Sequence, residues 1–182
     1  EIASPADEDD RMRIFFPHLT AQRTTQWERG DDPMTQFSFT DYHDEDGEFD
    51  KFGRPHCQTA IACPRGWRKI EDTPGRPYLA TRARTKYAHP IDPDDYIMDR
   101  VARSTSYEIS NDGTQPLKQL LSIPDDRKNV LSHTVNYYDG EAFVGLPNGQ
   151  IGKHGKLVRS ESLVLTEDIL KAAYGDNIPL YL

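Results

Sequence analysis

The stretch Asp44-Glu-Asp-Gly-Glu-Phe-Asp50 is where this 182-residue chain gathers the most groups able to do chemistry. It sets carboxylates around a glycine, the arrangement from which calcium loops are built. Register works against a complete EF-hand: with Gly47 in the sixth position, position one is Tyr42 and position twelve is Gly53, and neither is a ligand. Asp44, Asp46 and Asp50 therefore stand either as a partial calcium site or as a solvated acidic turn. A zinc set can be drawn from Cys57, Cys63, His56 and His43. No Cys-x-x-Cys occurs, however, and alternation along a strand puts His56 on the opposite face from Cys57.

Other chemistries leave fainter marks. Gly149-Gln-Ile-Gly152 with Gly155 has the glycine density of a dinucleotide loop, but no long helix opens after it to receive a pyrophosphate, so a turn within a sheet is the plainer reading. Neither a Gly-x-Ser-x-Gly elbow nor a Gly-x4-Gly-Lys-Ser/Thr phosphate loop is present. His133, inside an apolar alternation, reads as a hydrogen-bonded inner residue, or as a group whose protonation near pH ~6–7 would weaken its surroundings. No catalytic, cofactor-binding or metal-ligating residue is assigned, and no cofactor is expected.

Charge is unevenly spread. Residues 1–50 sum to −10, residues 51–86 to +7 and residues 87–182 to −5, within a total of −8. The basic block includes Trp67 and Tyr78, the mixture of cations and aromatics that single-stranded nucleic acid favours. Its bases alternate, though: Leu79, Thr81, Ala83, Thr85 and Tyr87 take one face of a strand, Arg82, Arg84 and Lys86 the other. That predicts one charged face able to pair with the acidic first third, and no nucleic-acid partner.

The elements that would position these groups are strands. A hydrophobic content of 36% is thin for a compact core, while 10% aromatics is too high for disorder, and a half-buried antiparallel sheet reconciles the two. Extended segments are expected at 11–20, 34–42, 55–64, 78–88, 100–109, 130–138 and 156–165. Val101, Thr105, Tyr107 and Ile109 share one face of the fifth of these, and Leu131, His133, Val135 and Tyr137 one face of the sixth. Clusters such as Asp72-Thr-Pro-Gly75, Asn111-Asp-Gly113 and Gly145-Leu-Pro-Asn-Gly149 punctuate them as turns. If residues 57–63 are extended, Cys57 and Cys63 lie about 20 Å apart, far beyond the ~7 Å limit of a disulfide, which predicts two half-buried free thiols. One short helix is expected near 166–174, with Thr166 as N-cap and Gly175 as the stop, and a turn or two of helix at 116–121. Residues 1–10 read as a frayed, solvated acidic start. The opening at Glu1 without Met fits a piece of a longer chain. No stretch reaches the roughly 20 apolar residues of a membrane span.

Two further words are specific. Phe49-Asp-Lys-Phe-Gly-Arg54 and Tyr137-Tyr-Asp-Gly140 each set an aromatic and an Asp ahead of a Gly, as in a tight turn between strands. Both resemble the YD repeat of Rhs proteins. The order Phe49-Asp-Lys-Phe-Gly-Arg-Pro55, Ala60-Ile-Ala-Cys-Pro-Arg65, Asp94-Asp-Tyr-Ile-Met-Asp-Arg-Val-Ala102 and Thr105-Ser-Tyr-Glu-Ile109, followed by Asn136-Tyr-Tyr-Asp-Gly140, Gly145-Leu-Pro-Asn-Gly-Gln-Ile-Gly152 and Gly155-Lys-Leu-Val-Arg-Ser-Glu-Ser162, resembles the B component of Tc insecticidal toxins and the non-enzymatic part of SpvB-type virulence proteins. The likeness covers about residues 40–175 and is most specific over 131–170.

The resemblance implies a mainly β fold, an antiparallel Rhs-type sheet forming one panel of a hollow shell. Residues 36–182 are read as that segment, and residues 1–35 as an N-terminal segment of uncertain kind. It further implies a bacterial secreted toxin protein, its export signal outside these residues, that contains and helps deliver a toxic enzyme without being one. Its partners would be other Rhs/Tc shell segments and the enclosed toxin domain. SpvB-type chains end in an ADP-ribosyltransferase with a Glu-x-Glu pair, and none occurs here. A reading from another class is a β-rich module that binds a protein or glycan, with or without calcium.

Overall fold

A computed structural model describes residues 17–28, 30–67, 76–126, 129–164, 170, 171, 174, 175 and 177. The protein is mainly β. Seven strands, β1 (Ala21–Gln26), β2 (Met34–Asp41), β3 (Cys57–Ala62), β4 (Leu79–Tyr87), β6 (Val101–Glu108), β7 (Val130–Tyr138) and β9 (Leu157–Ser162), form one antiparallel sheet in the order β1-β2-β3-β4-β6-β7-β9. Between them, β5 (His89–Pro90) and β8 (Gln150–Ile151) make a small parallel pair.

Six of the seven long strands fall inside the windows set by alternation and turn residues. The strand expected at 11–20 is not among them: 11–16 lie outside the described residues, 17–20 are not in a strand, and the first strand is β1. Its sequence, Ala-Gln-Arg-Thr-Thr-Gln, has no apolar period to announce it, and it is held by pairing with β2. Of the helix expected near 166–174, Leu170, Lys171 and Tyr174 are helical, and Gly175, at φ +59°, donates its N–H to the Lys171 carbonyl at 2.8 Å. Residues 165–169, 172 and 173 lie outside the described residues. The short helix at 116–121 is present as α1 (Leu117–Leu120), entered through extended Pro116.

One face of the sheet is covered by α1 and the turn after it. Ile61, Cys63, Tyr78, Ala80, Ile109 and Leu120 are buried there, flanked by Phe37, Phe39 and Trp67. Phe37 meets the Trp67 ring edge to face at 5.7 Å. Fully burying a side chain such as Ile61 or Leu120 contributes roughly 1.5–3 kcal/mol, so this patch anchors the sheet. Asn111 fastens its rim by accepting the Tyr78 N–H and donating to the carbonyls of Tyr78 and Ile109. Gly113 then passes so close to Arg76 that a Cβ would sit 2.2 Å from that residue's carbonyl oxygen. A second, smaller core of Ala88, Ala102, Tyr138 and Ile151 forms beside the β5–β8 pair.

The alternation of β4 is present, and in its first half the face that carries the bases is the buried one. Arg82 is 3% exposed, whereas Leu79 is 75% exposed. The reason is the end of α1, which leaves carbonyls without intrahelical donors. Arg82 donates to the carbonyls of Leu120, Leu121 and Ile123 and to Asp125. Arg84 also binds Asp125, so two of the three alternating bases are neutralised from beyond the acidic first third. The expected pairing of charge blocks holds for Lys86 with Glu45, Arg65 with Glu28 and Arg54 with Asp50. The opposite face is open and nearly free of charge, with rows such as Thr40-Gln58-Ala83-Ser106-Ser132 and Thr85-Ser104-Thr134-Ser162 running across the strands.

Candidate functional site

Two aspartates organise the turns that carry the Rhs-like words. After β2, the chain folds back through a bridge between His43 and Phe49 and arrives at Asp50. The Asp50 carboxylate accepts the amides of Phe52 and Arg54 at 2.8 and 3.1 Å, the Arg54 guanidinium at 2.7 Å, and His56 Nε2 lies 2.8 Å away. The three side chains are only 4, 12 and 14% exposed, so this is a largely buried cluster at the border of a cleft. Burial pushes the Asp50 pKa up, but the bonds from Arg54, His56 and the two amides outweigh it and hold the carboxyl far below the usual range. The Arg54 guanidinium is also sandwiched near the Phe52 and Tyr87 rings, at 4.9 and 4.4 Å.

Asp44, Asp46 and Asp50 of the calcium-like stretch border one cleft, but Asp44 and Asp50 are engaged separately and, among the described residues, no ligand set is built. Asp44 turns inward on its own loop, accepting the amides of Asp46 and Glu48 at 3.0 Å each, while Asp50 is engaged with Arg54 and His56. The imagined zinc set is dispersed. His43 binds Asp41, His56 binds Asp50, and Cys57 and Cys63, neither of them in a disulfide, stand at and just beyond opposite ends of β3. Burial pushes the Cys57 thiol pKa up. Among the described residues no three of His, Cys, Asp and Glu gather as metal ligands.

Asp139 does the same work over longer range. With φ at +47°, it turns the chain after β7 and accepts the amides of Gly152 and Gly155 at 2.9 Å each and of Lys156 at 3.0 Å. Burial raises its pKa, and those three amides together with the nearby His154 more than reverse the effect. The glycine-rich loop thus spends on Asp139 the N–H groups that a phosphate would need. Asn148 ties the same loop to the Ala102 carbonyl, and Tyr138 Oη, at the end of β7, donates to that of Val101. Gly145 fits here because a Cβ would come within 2.6 Å of Tyr137 Cβ.

His133 is half-buried on β7, its Nδ1 2.8 Å from Thr105 Oγ1, as its place in the alternation suggested. A residue overlooked in the sequence is Arg103. It shares the face of Thr105 and lies directly opposite Lys86. Its signal was present, since it occupies the vacant step in the alternation Val101, Thr105, Tyr107. With Glu45 and Lys86 it borders two adjoining clefts of about 420 and 400 Å³.

The remaining candidate surface is the pair of sheet edges. Among the described residues, β1 and β9 each pair with a strand on one side only. Backbone groups on the other side are available to a further strand. Hydrophobic side chains near the β9 edge, Leu157, Leu163 and Val164, are 51, 43 and 86% exposed. Among the described residues no helix is long and apolar enough to cross a membrane. Comparison with protein-family models and with curated proteins finds no match to this chain.

Proposed function

We propose that this chain is a wall segment of an Rhs/Tc-type bacterial toxin shell, a secreted, non-catalytic panel that encloses a toxic enzyme and helps to deliver it. The observation that carries the reading is the seven-strand antiparallel meander whose edge strands, among the described residues, are each paired on one side only. A panel of that form extends by adding strands at β1 and β9, and backbone hydrogen bonds supply the affinity. Residues 136–140 and 145–156, within the stretch 131–170 where the resemblance is most specific, support it, because they build one interlocked corner of the sheet.

The test is to combine the chain with shell segments of Tc B and C components and follow mass, protease resistance and amide exchange. A larger, protease-resistant particle, with new protection confined to β1 and β9, is the expected result. A monomer that ignores those segments and binds a glycan or receptor with defined affinity would replace the shell by the binding-module reading.

A further inference from the structure

We propose that the cleft over β4, β6 and β7 is a binding site for a small tetrahedral oxyanion, phosphate in class, with Arg103 as its principal donor. The register sets Lys86 directly opposite Arg103, with Arg84 two residues away on the same face. Like charges in that relation repel across a sheet. Carboxylates relieve part of this: Glu45 pairs with Lys86, and Asp125 serves both Arg82 and Arg84. Among the described residues Arg103 has no ion pair of its own, and further acids, Asp44, Asp46 and Asp50, border the adjoining cleft. Its guanidinium reaches the neutral amide oxygen of Asn148 at 3.1 Å, and its Nε is buried without a hydrogen-bond partner. A buried donor left unmade on a guanidinium that has no ion pair is an unfavourable arrangement that an oxyanion would complete.

The space beside it fits that role. The cleft of about 400 Å³ is bordered by Arg84, Lys86, Arg103, Thr105, Tyr107 and His133. Of its three cations, Lys86 is paired with Glu45 and Arg84 with Asp125, which leaves Arg103 without an ion pair among the described residues. Arg84 gives its Nε to Asp125, and its terminal nitrogens remain for a ligand. With Nδ1 of His133 engaged by Thr105, its Nε2 is the ring nitrogen left to face an anion. Donors thus approach from three strands, which suits a tetrahedral oxyanion better than a planar carboxylate, and a guanidinium fork can bind such an ion through two oxygens. This site is independent of the shell reading, so either can fail alone.

The experiment titrates inorganic phosphate into the full chain at constant ionic strength, followed by calorimetry and thermal unfolding, with acetate as the planar comparison. Saturable binding and a rise in Tm with phosphate are expected. Arg103→Gln should abolish both while remaining at least as stable as the parent in anion-free buffer, because it removes one of two opposed charges. Arg103→Lys keeps the charge but loses the fork, and affinity should drop about tenfold or more. An equal gain in stability for parent and Arg103→Gln would be general salt exclusion and would overturn the proposal. So would an equal response to acetate, or unfolding of Arg103→Gln in anion-free buffer, which would give the guanidinium a purely structural role.

Discussion

The Asp50 and Asp139 turns are written in nearly the same word, an aromatic, an Asp and a nearby Gly, yet they are stabilised differently. Every bond of Asp50 described here reaches a residue two, four or six positions ahead, and two of its partners are Arg54 and His56. Asp139 reaches 13 to 17 positions ahead, and its acceptor bonds are all from backbone amides. The first turn is a local ionic cluster, whereas the second is a clamp between β7 and the loop before β9. The same short motif can therefore close a turn or lock a corner, depending on whether a side-chain cation or a distant glycine loop satisfies the carboxylate.

The largest effect that would break this contrast is at Asp50. Asp50→Ala leaves the Arg54 charge nearly buried without its carboxylate, a change that costs about 3–5 kcal/mol. Urea unfolding should show the midpoint falling accordingly. A loss below about 1 kcal/mol would mean that water from the adjoining cleft or another acid takes over the pairing.

Asp139→Ala should cost less, about 2–3 kcal/mol, since it strands neutral amides and no charge. Its signature is location: hydrogen exchange should accelerate at Gly152, Gly155 and Lys156 while β2 and β3 keep their protection. Gly145→Ala should loosen the same corner, because its Cβ would meet Tyr137 at 2.6 Å and its φ of +79° disfavours a side chain. Exchange spreading uniformly through the sheet in either variant would show that the corner is not a separate clamp.

What could be read from the sequence follows the same divide between local and distant. Strands β2, β3, β4, β6, β7 and β9 were visible because alternation and Pro, Gly and Asp punctuation are local signals. The two-residue pair β5–β8 is too short to carry any period, and β1 is polar on both faces. The direction in which β4 faces depends on Asp125 and the end of α1, some 40 residues away, which no window around Arg82 reveals. Likewise, Asp44, Asp46 and Asp50 do border one cleft, but the sequence does not reveal that His56 and Arg54 claim Asp50 there.

Acid should weaken both turns. Asp50 and Asp139 have folded-state pKa values below the unfolded carboxyl value of about 3.9, so their stabilisation is full above that pH and is lost as pH falls through the lower folded values. The plot of unfolding free energy against pH should be nearly flat in this contribution from pH ~5 to 7 and fall below pH ~4. Asp50→Asn and Asp139→Asn should each shallow that acid limb. An unchanged slope in both would mean that other carboxylates govern acid unfolding.

The smallest expected effect belongs to Asp44, the third aspartate of this kind, and it sets the baseline for the other two. It accepts two local amides as Asp50 does, but it is exposed and has no cation in its bonds. Burial and charge are what separate it from Asp50, so Asp44→Ala should change stability by no more than about 0.5 kcal/mol. Because its oxygen is turned onto its own loop and Asp50 is held by Arg54 and His56, millimolar calcium should leave Tm unchanged in parent and variant alike. A calcium-dependent rise in Tm that Asp44→Ala removes would require Asp50 to release Arg54, and would turn the local ionic cluster into a metal-dependent switch.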